Sequence, residues 1–158
     1  FLRHTGPTLS PFNAWVLLKG LETLKLRVEA QSRAAAAVAE ALASTKGVER
    51  IYYPHHDTHA QVKLARGQMK MGGTMVSFDV AGGKAKAFDV LRKLGIIDIS
   101  NNLGDAKSLI THPATTTHRN IGPEARAMMG ITDGNLRLSV GLEDVDDLVG
   151  DLRQALKP

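Results

Sequence analysis

The sequence predicts an α+β domain of two layers: a small, mainly antiparallel sheet with helices on one face, preceded by a long connecting helix. Three observations point there. Helical spacing of apolar residues runs unbroken from Phe12 into an alanine-rich stretch ending near Ala43. Short strand-like runs then alternate with helical ones, most clearly Met75–Val80 and Leu136–Val140. The chain closes on an amphipathic segment, Glu143 to Leu156. At 158 residues, 43% hydrophobic and 23% charged, the composition suits one packed core rather than disorder.

Ser10-Pro11 opens the first helix, serine as a cap and proline at the first helical position. Phe12, Trp15, Val16, Leu18, Leu21 and Leu24 recur at helical spacing, Gly20 marks either a bend or a close crossing with another helix, and Lys46-Gly47 ends the run. This predicts an interdomain segment and connecting helix over 1–46 and a small domain over 47–158. Val48–Tyr53 reads as a strand stopped by Pro54, and Thr58–Arg66 as a short helix with Asp57 or Thr58 capping it. Thr74–Val80 alternates as a half-buried strand. Gly82-Gly83 turns into a helix through Leu94. Ile96–Ser100 and Ser108–Thr111 are extended, and Thr115–Gly134 is loop with a helical turn at 123–128. Leu136–Val140 is a strand, and Glu143-Asp144 places acid on the positive end of the closing helix.

Several chemistries are excluded by composition. With no cysteine, disulfides, thiolate metal sites and cysteine nucleophiles are impossible; the absence fits a reducing cytoplasm. No apolar run reaches the length of a membrane span. The net charge of +4 suggests a nucleic-acid binder only weakly, because basic and acidic residues are interspersed and aromatics are few. Neither nucleic acid nor membrane is expected as a partner. The opening Phe1-Leu2-Arg3-His4-Thr5-Gly6 is no start or export signal, so the chain reads as cut from a longer one.

The candidate site residues are few. Arg137, between Leu136 and Leu138, projects to the opposite strand face and can offer a planar fork to a carboxylate; a solvated strand face is the plainer reading. Asn101-Asn102-Leu103-Gly104-Asp105 can aim amides at a small anion, or be an ordinary polar turn. The threonine-rich run from His112 to His118 is either a functional loop or a structural one. His55, His56, Asp57 and His59 match no established zinc spacing and read as a solvated helix start, so no metal is expected. Gly72-Gly73 and Gly82-Gly83 are turn glycines, not phosphate loops.

Three blocks carry a resemblance. Thr8-Leu9-Ser10-Pro11-Phe12-Asn13-Ala14-Trp15 continues into Leu18-Lys19-Gly20-Leu21-Glu22-Thr23-Leu24 and Arg27. Asn102-Leu103-Gly104-Asp105-Ala106-Lys107-Ser108-Leu109 leads to His112-Pro113-Ala114 and Thr117-His118. Gly130-Ile131-Thr132-Asp133-Gly134 precedes Leu136-Arg137-Leu138-Ser139-Val140-Gly141-Leu142-Glu143-Asp144. In this order they resemble the Cys/Met-metabolism enzymes that use pyridoxal 5'-phosphate. The resemblance implies the C-terminal domain of a fold-type I transferase, reached through a long helix. It also implies that an N-terminal domain outside this chain binds the cofactor and that the whole protein is a homo-oligomer, a tetramer. In the family the arginine of the Arg-Leu-Ser block grips the substrate α-carboxylate, here Arg137, and the turn at Asn102 and Leu103 borders it. Thr117 and His118 become a candidate active-site loop.

Lyases and cystathionine synthases usually carry serine where Asn102 stands, so the resemblance favours sulfide transfer: O-succinylhomoserine and sulfide giving homocysteine. Acetylhomoserine sulfhydrylase, cystathionine γ-synthase and methionine γ-lyase activities stay open, as does a non-catalytic amino-acid-binding module. Ala43-Ser44-Thr45-Lys46 is a near miss to the family's cofactor-lysine block, with alanine where serine belongs. No residue of this chain is therefore assigned to cofactor binding or to catalysis itself, and the chain alone is expected to be inactive.

Overall fold

The computed structural model describes His4, Gly6 and residues 8–158; most of the opening run Phe1–Gly6 lies outside the described residues. The leading helical run is two helices, α1 (Pro11–Glu22) and α2 (Leu24–Ala43). Ser10 caps α1 as its sequence predicts, its hydroxyl accepting from the Asn13 N–H at 3.2 Å. The break falls at Thr23 (φ −108°, ψ 5°) rather than at Gly20. Arg27 stitches it, donating to the Thr23 hydroxyl and to the Gly20 carbonyl. α1 buries none of its residues. The second half of α2 buries Ala34, Ala35, Val38, Ala39 and Leu42, and its small side chains let the helix sit close to its neighbours.

After α2 the chain turns at Gly47, whose φ of 95° suits glycine. Strand β1 (Val48–Tyr52) follows, then α3 (Val62–Gln68), β2 (Met75–Val80), α4 (Gly83–Lys93), β3 (Asp98–Ile99), β4 (Leu109–Thr111), α5 (Gly122–Met128), β5 (Asn135–Ser139) and α6 (Val145–Leu156). The sheet order is β1-β2-β5-β4-β3. Pairs β1–β2, β2–β5 and β4–β5 are antiparallel; only the short β3–β4 pair is parallel. Thus the fold is the expected mainly antiparallel sheet with helices on one face.

Register separates the two faces. Ile51 pairs with Phe78, Phe78 with Leu136, and Val76 with Leu138, which pairs in turn with Ile110. These residues are buried beneath α2, α4 and α6, against Val38, Val90, Leu148 and Leu152. Slipping β5 by one residue would turn Leu136 and Leu138 away from the helices, so the core dictates where Arg137 points.

Two helix starts differ from expectation. α3 begins at Val62 and has no side-chain cap, because Thr58 bonds His56 Nδ1 instead, at 2.7 Å. Asp144 caps α6, accepting from the Asp146 and Asp147 N–H groups. Glu143 leaves the helix end to accept from the Ser108 N–H and hydroxyl, at 2.6 and 2.8 Å. Two N–H and O–H donors fixed in one place outweigh a helix-end interaction of a few tenths of a kcal/mol.

Candidate functional site: an arginine on the polar face of the sheet

The face away from the helices carries Tyr52, Ser77, Asp79, Asn135, Arg137 and Thr111, all linked by the same register: Tyr52 opposite Ser77, Ser77 and Thr111 opposite Arg137, Asp79 opposite Asn135. Arg137 is half-buried. One arm of its fork, Nη2, donates to the Asn101 carbonyl at 2.9 Å. Among the described residues no carboxylate comes within 4.0 Å of the guanidinium. The group opens on a cleft of about 600 Å³ whose walls include Tyr52, His59, Ser77, Leu103 and His118. Among the described residues no Asp or Glu lines it. A half-buried cation without an anion, at an acid-free cleft, is suited to receive a carboxylate.

Beside Arg137, on the same face, lies a polar network that the sequence did not reveal. Asp79 is buried. It accepts from the Tyr52 hydroxyl at 2.9 Å, the Asn135 amide at 2.8 Å and the Thr132 hydroxyl at 3.0 Å. The Asn135 carbonyl in turn accepts from the Ser77 hydroxyl at 3.1 Å. Burial pushes the Tyr52 hydroxyl above its ordinary pKa and its bond to Asp79 adds to this, outweighing the opposing effect of Arg50, so Tyr52 stays protonated as the donor. The hint in the sequence was the pair Ser77 and Asp79, alternating with apolar residues along β2.

The loops bring some of the expected residues together and leave others apart. Leu103 and His118 line the cleft with Arg137. Asn102 is exposed, its N–H bonded to the Ser100 hydroxyl at 3.2 Å; its neighbour Asn101 makes the contact to Arg137 and also accepts from Thr111 at 2.9 Å. Thr117 is exposed, and its hydroxyl meets His118 Nδ1 at 2.8 Å. His112 is instead a core residue, bonded to Thr115 and to the Asp133 carbonyl, each at 2.9 Å, with its ring edge-on to Phe88. The neighbouring histidines have separate partners: His56 faces Thr58 and Glu40, while His59 Nδ1 accepts from the Gln61 N–H at 3.2 Å.

The residues at the cleft fit a carboxylate and not the cofactor. Among the described residues no lysine lines it. Lys46 is exposed at the end of α2 and belongs to a different cleft, with Lys86 and Arg153.

The model for Cys/Met metabolism PLP-dependent enzymes matches residues 1–157. The chain belongs to this family. It is similar to the O-succinylhomoserine sulfhydrylase of Mycobacterium tuberculosis, with 56% identity over 98% of this chain and 39% of that protein. It is 45% identical to an O-acetyl-L-homoserine sulfhydrylase of Leptospira meyeri, over 99% of this chain and 36% of that one. To an L-methionine gamma-lyase of Pseudomonas putida it is 44% identical, over 97% and 38%. Among solved structures, cystathionine gamma synthase from Xanthomonas oryzae in complex with aminoacrylate and cysteine superposes with a TM-score of 0.88, at 42% identity, over 96% of this chain and 39% of that one. The family member described here therefore spans about two fifths of the length of the curated relatives it matches. Among the described residues no helix is long and apolar enough to cross a membrane.

Proposed function

We propose that this chain is the C-terminal part of a cytoplasmic, pyridoxal-phosphate-dependent O-succinylhomoserine sulfhydrylase, which replaces succinate with sulfide to give homocysteine. The observation that carries the reading is the Arg137 guanidinium, half-buried at the cleft, tethered to a carbonyl and without an acid partner among the described residues. Its role is to hold the α-carboxylate of the amino-acid substrate and so orient the reacting end of the molecule. Leu103 and the turn carrying Asn102 border that carboxylate, and Thr117 and His118 form the adjoining loop. The cofactor and its lysine are assigned to an N-terminal domain. Residues 1–46 lead from that domain into the small domain of 47–158. The exposed Phe12, Trp15, Leu17 and Leu21 of α1 are the kind of surface such a domain, or a second subunit of a homo-oligomer, would cover.

The test is kinetic and uses the full-length enzyme. Truncating the fork removes two charge-assisted hydrogen bonds, about 3–6 kcal/mol, or roughly 100- to 10,000-fold in kcat/KM. Arg137→Ala should raise KM strongly and lower kcat/KM by that factor. Arg137→Lys should restore only part of it, because a single ammonium cannot grip both oxygens. Unchanged kcat/KM in Arg137→Ala would sink the assignment. Product analysis with each acyl-homoserine, with sulfide or cysteine, and with methionine separates the sulfhydrylase from synthase and lyase activities.

A further inference from the structure

The cleft is far larger than an α-carboxylate needs, and a second group in it is equipped to hold an anion. His59 enters from the segment following β1 and lines the same cleft as Arg137. Its Nδ1 accepts from the Gln61 N–H. A backbone N–H can only donate, so in the neutral ring the proton resides on Nε2. No partner for Nε2 occurs among the described residues. His59, a lining residue of the cleft, therefore carries an N–H donor without a partner among the described residues, whether the ring is neutral or charged. Arg137 stands on β5, separated from β1 by β2. His59 follows the end of β1 by seven residues, and the two side chains border one cleft of about 600 Å³. An extended O-succinylhomoserine has eight bonds between the carbon of its α-carboxylate and that of its distal carboxylate, and by standard bond lengths these lie about 10 Å apart. O-acetylhomoserine has no distal carboxylate.

We infer that His59 is a specificity-determining residue, receiving the distal carboxylate of a dicarboxylic acyl-homoserine while Arg137 holds the α-carboxylate. The inference rests on the reading of Arg137 above. It is tested in the full-length enzyme with both O-succinyl- and O-acetylhomoserine, sulfide being saturating. The wild type favours the succinyl ester. In His59→Ala, kcat/KM for the succinyl ester falls at least tenfold and that for the acetyl ester less than threefold. His59→Asn, which keeps an N–H donor, recovers part of the loss. An equal fall for both esters, no fall for either, or a wild type that prefers the acetyl ester overturns the inference. Arg137→Ala separates the two claims: it should weaken both esters alike, and if it weakens neither, the reading of Arg137 fails whatever His59 does.

Discussion

Asp151, on α6, gives the sharpest test of how the fold is held. It is buried, and its carboxylate accepts from three successive backbone N–H groups where α4 hands over to β3: Gly95 at 2.8 Å, Ile96 at 2.9 Å and Ile97 at 3.1 Å. The Gln154 amide adds a fourth bond at 3.1 Å. Burial pushes the carboxyl up, but these donors together outweigh it, so its pKa lies below the ordinary carboxylate value. Asp151→Ala leaves three N–H groups without an acceptor. At about 1–3 kcal/mol each, with water reaching part of the gap, the loss should total about 3–5 kcal/mol. For a chain of this size that is a fall in Tm of roughly 6–20 °C. Asp151→Asn keeps one acceptor and turns an amide donor on another, costing about 1–3 kcal/mol. A group with a lowered native pKa stabilises the fold above its unfolded pKa, about 3.9, and that stabilisation is lost as pH falls through the native value. Urea unfolding from pH 7 to pH 3 should therefore show wild type and Asp151→Asn converging at acid pH. Equal stability at pH 7, or a gap that stays constant down to pH 3, would refute the reasoning.

Two further outcomes follow from packing. A methyl group at Gly141 would overlap the Glu143 carboxylate, the Ser108 N–H and the Ala106 carbonyl, so Gly141→Ala should cost about 1–3 kcal/mol, seen as a lower midpoint in urea unfolding. The isolated 158-residue chain should self-associate through the exposed apolar surface of α1, and Phe12→Ser with Trp15→Ser should shift it toward monomer in sedimentation velocity.

Much of this architecture was legible because it depends on neighbours in the chain. Ser10 at a cap, Gly47 at a left-handed turn and the alternation through Arg137 all act within a few residues, and each reads directly from the sequence. What could not be read depends on distant partners. Glu143 looks like a helix-end acid until Ser108, 35 residues earlier, is placed beside it. Gly72 looks like a turn glycine, yet a side chain there would strike the Tyr53 ring. Thr58 looks like a cap, but His56 takes its hydroxyl. At the site, Arg137 was visible from alternation alone, whereas the Asp79 network required the β2–β5 register to bring Asn135 and Thr132 to it.

That network explains why Arg137 stays available. Asp79 lies diagonally from it across the β2–β5 pair, Ser77 being opposite Arg137 and Asp79 opposite Asn135. Diagonal neighbours are about 7–8 Å apart, within reach of a long side chain, and an internal ion pair would be expected. It does not form: three neutral donors occupy the carboxylate, and Arg137 reaches the other way, to Asn101. Removing two of those three donors should therefore inhibit without touching the arginine. In the full-length enzyme, Thr132→Val with Asn135→Ala should let Asp79 capture the guanidinium and raise KM for the acyl-homoserine. Adding Asp79→Asn to that variant should lower KM again, because the competing charge is gone. A KM that rises further in the triple variant would mean that the network merely supports the cleft wall and has no part in keeping the fork free.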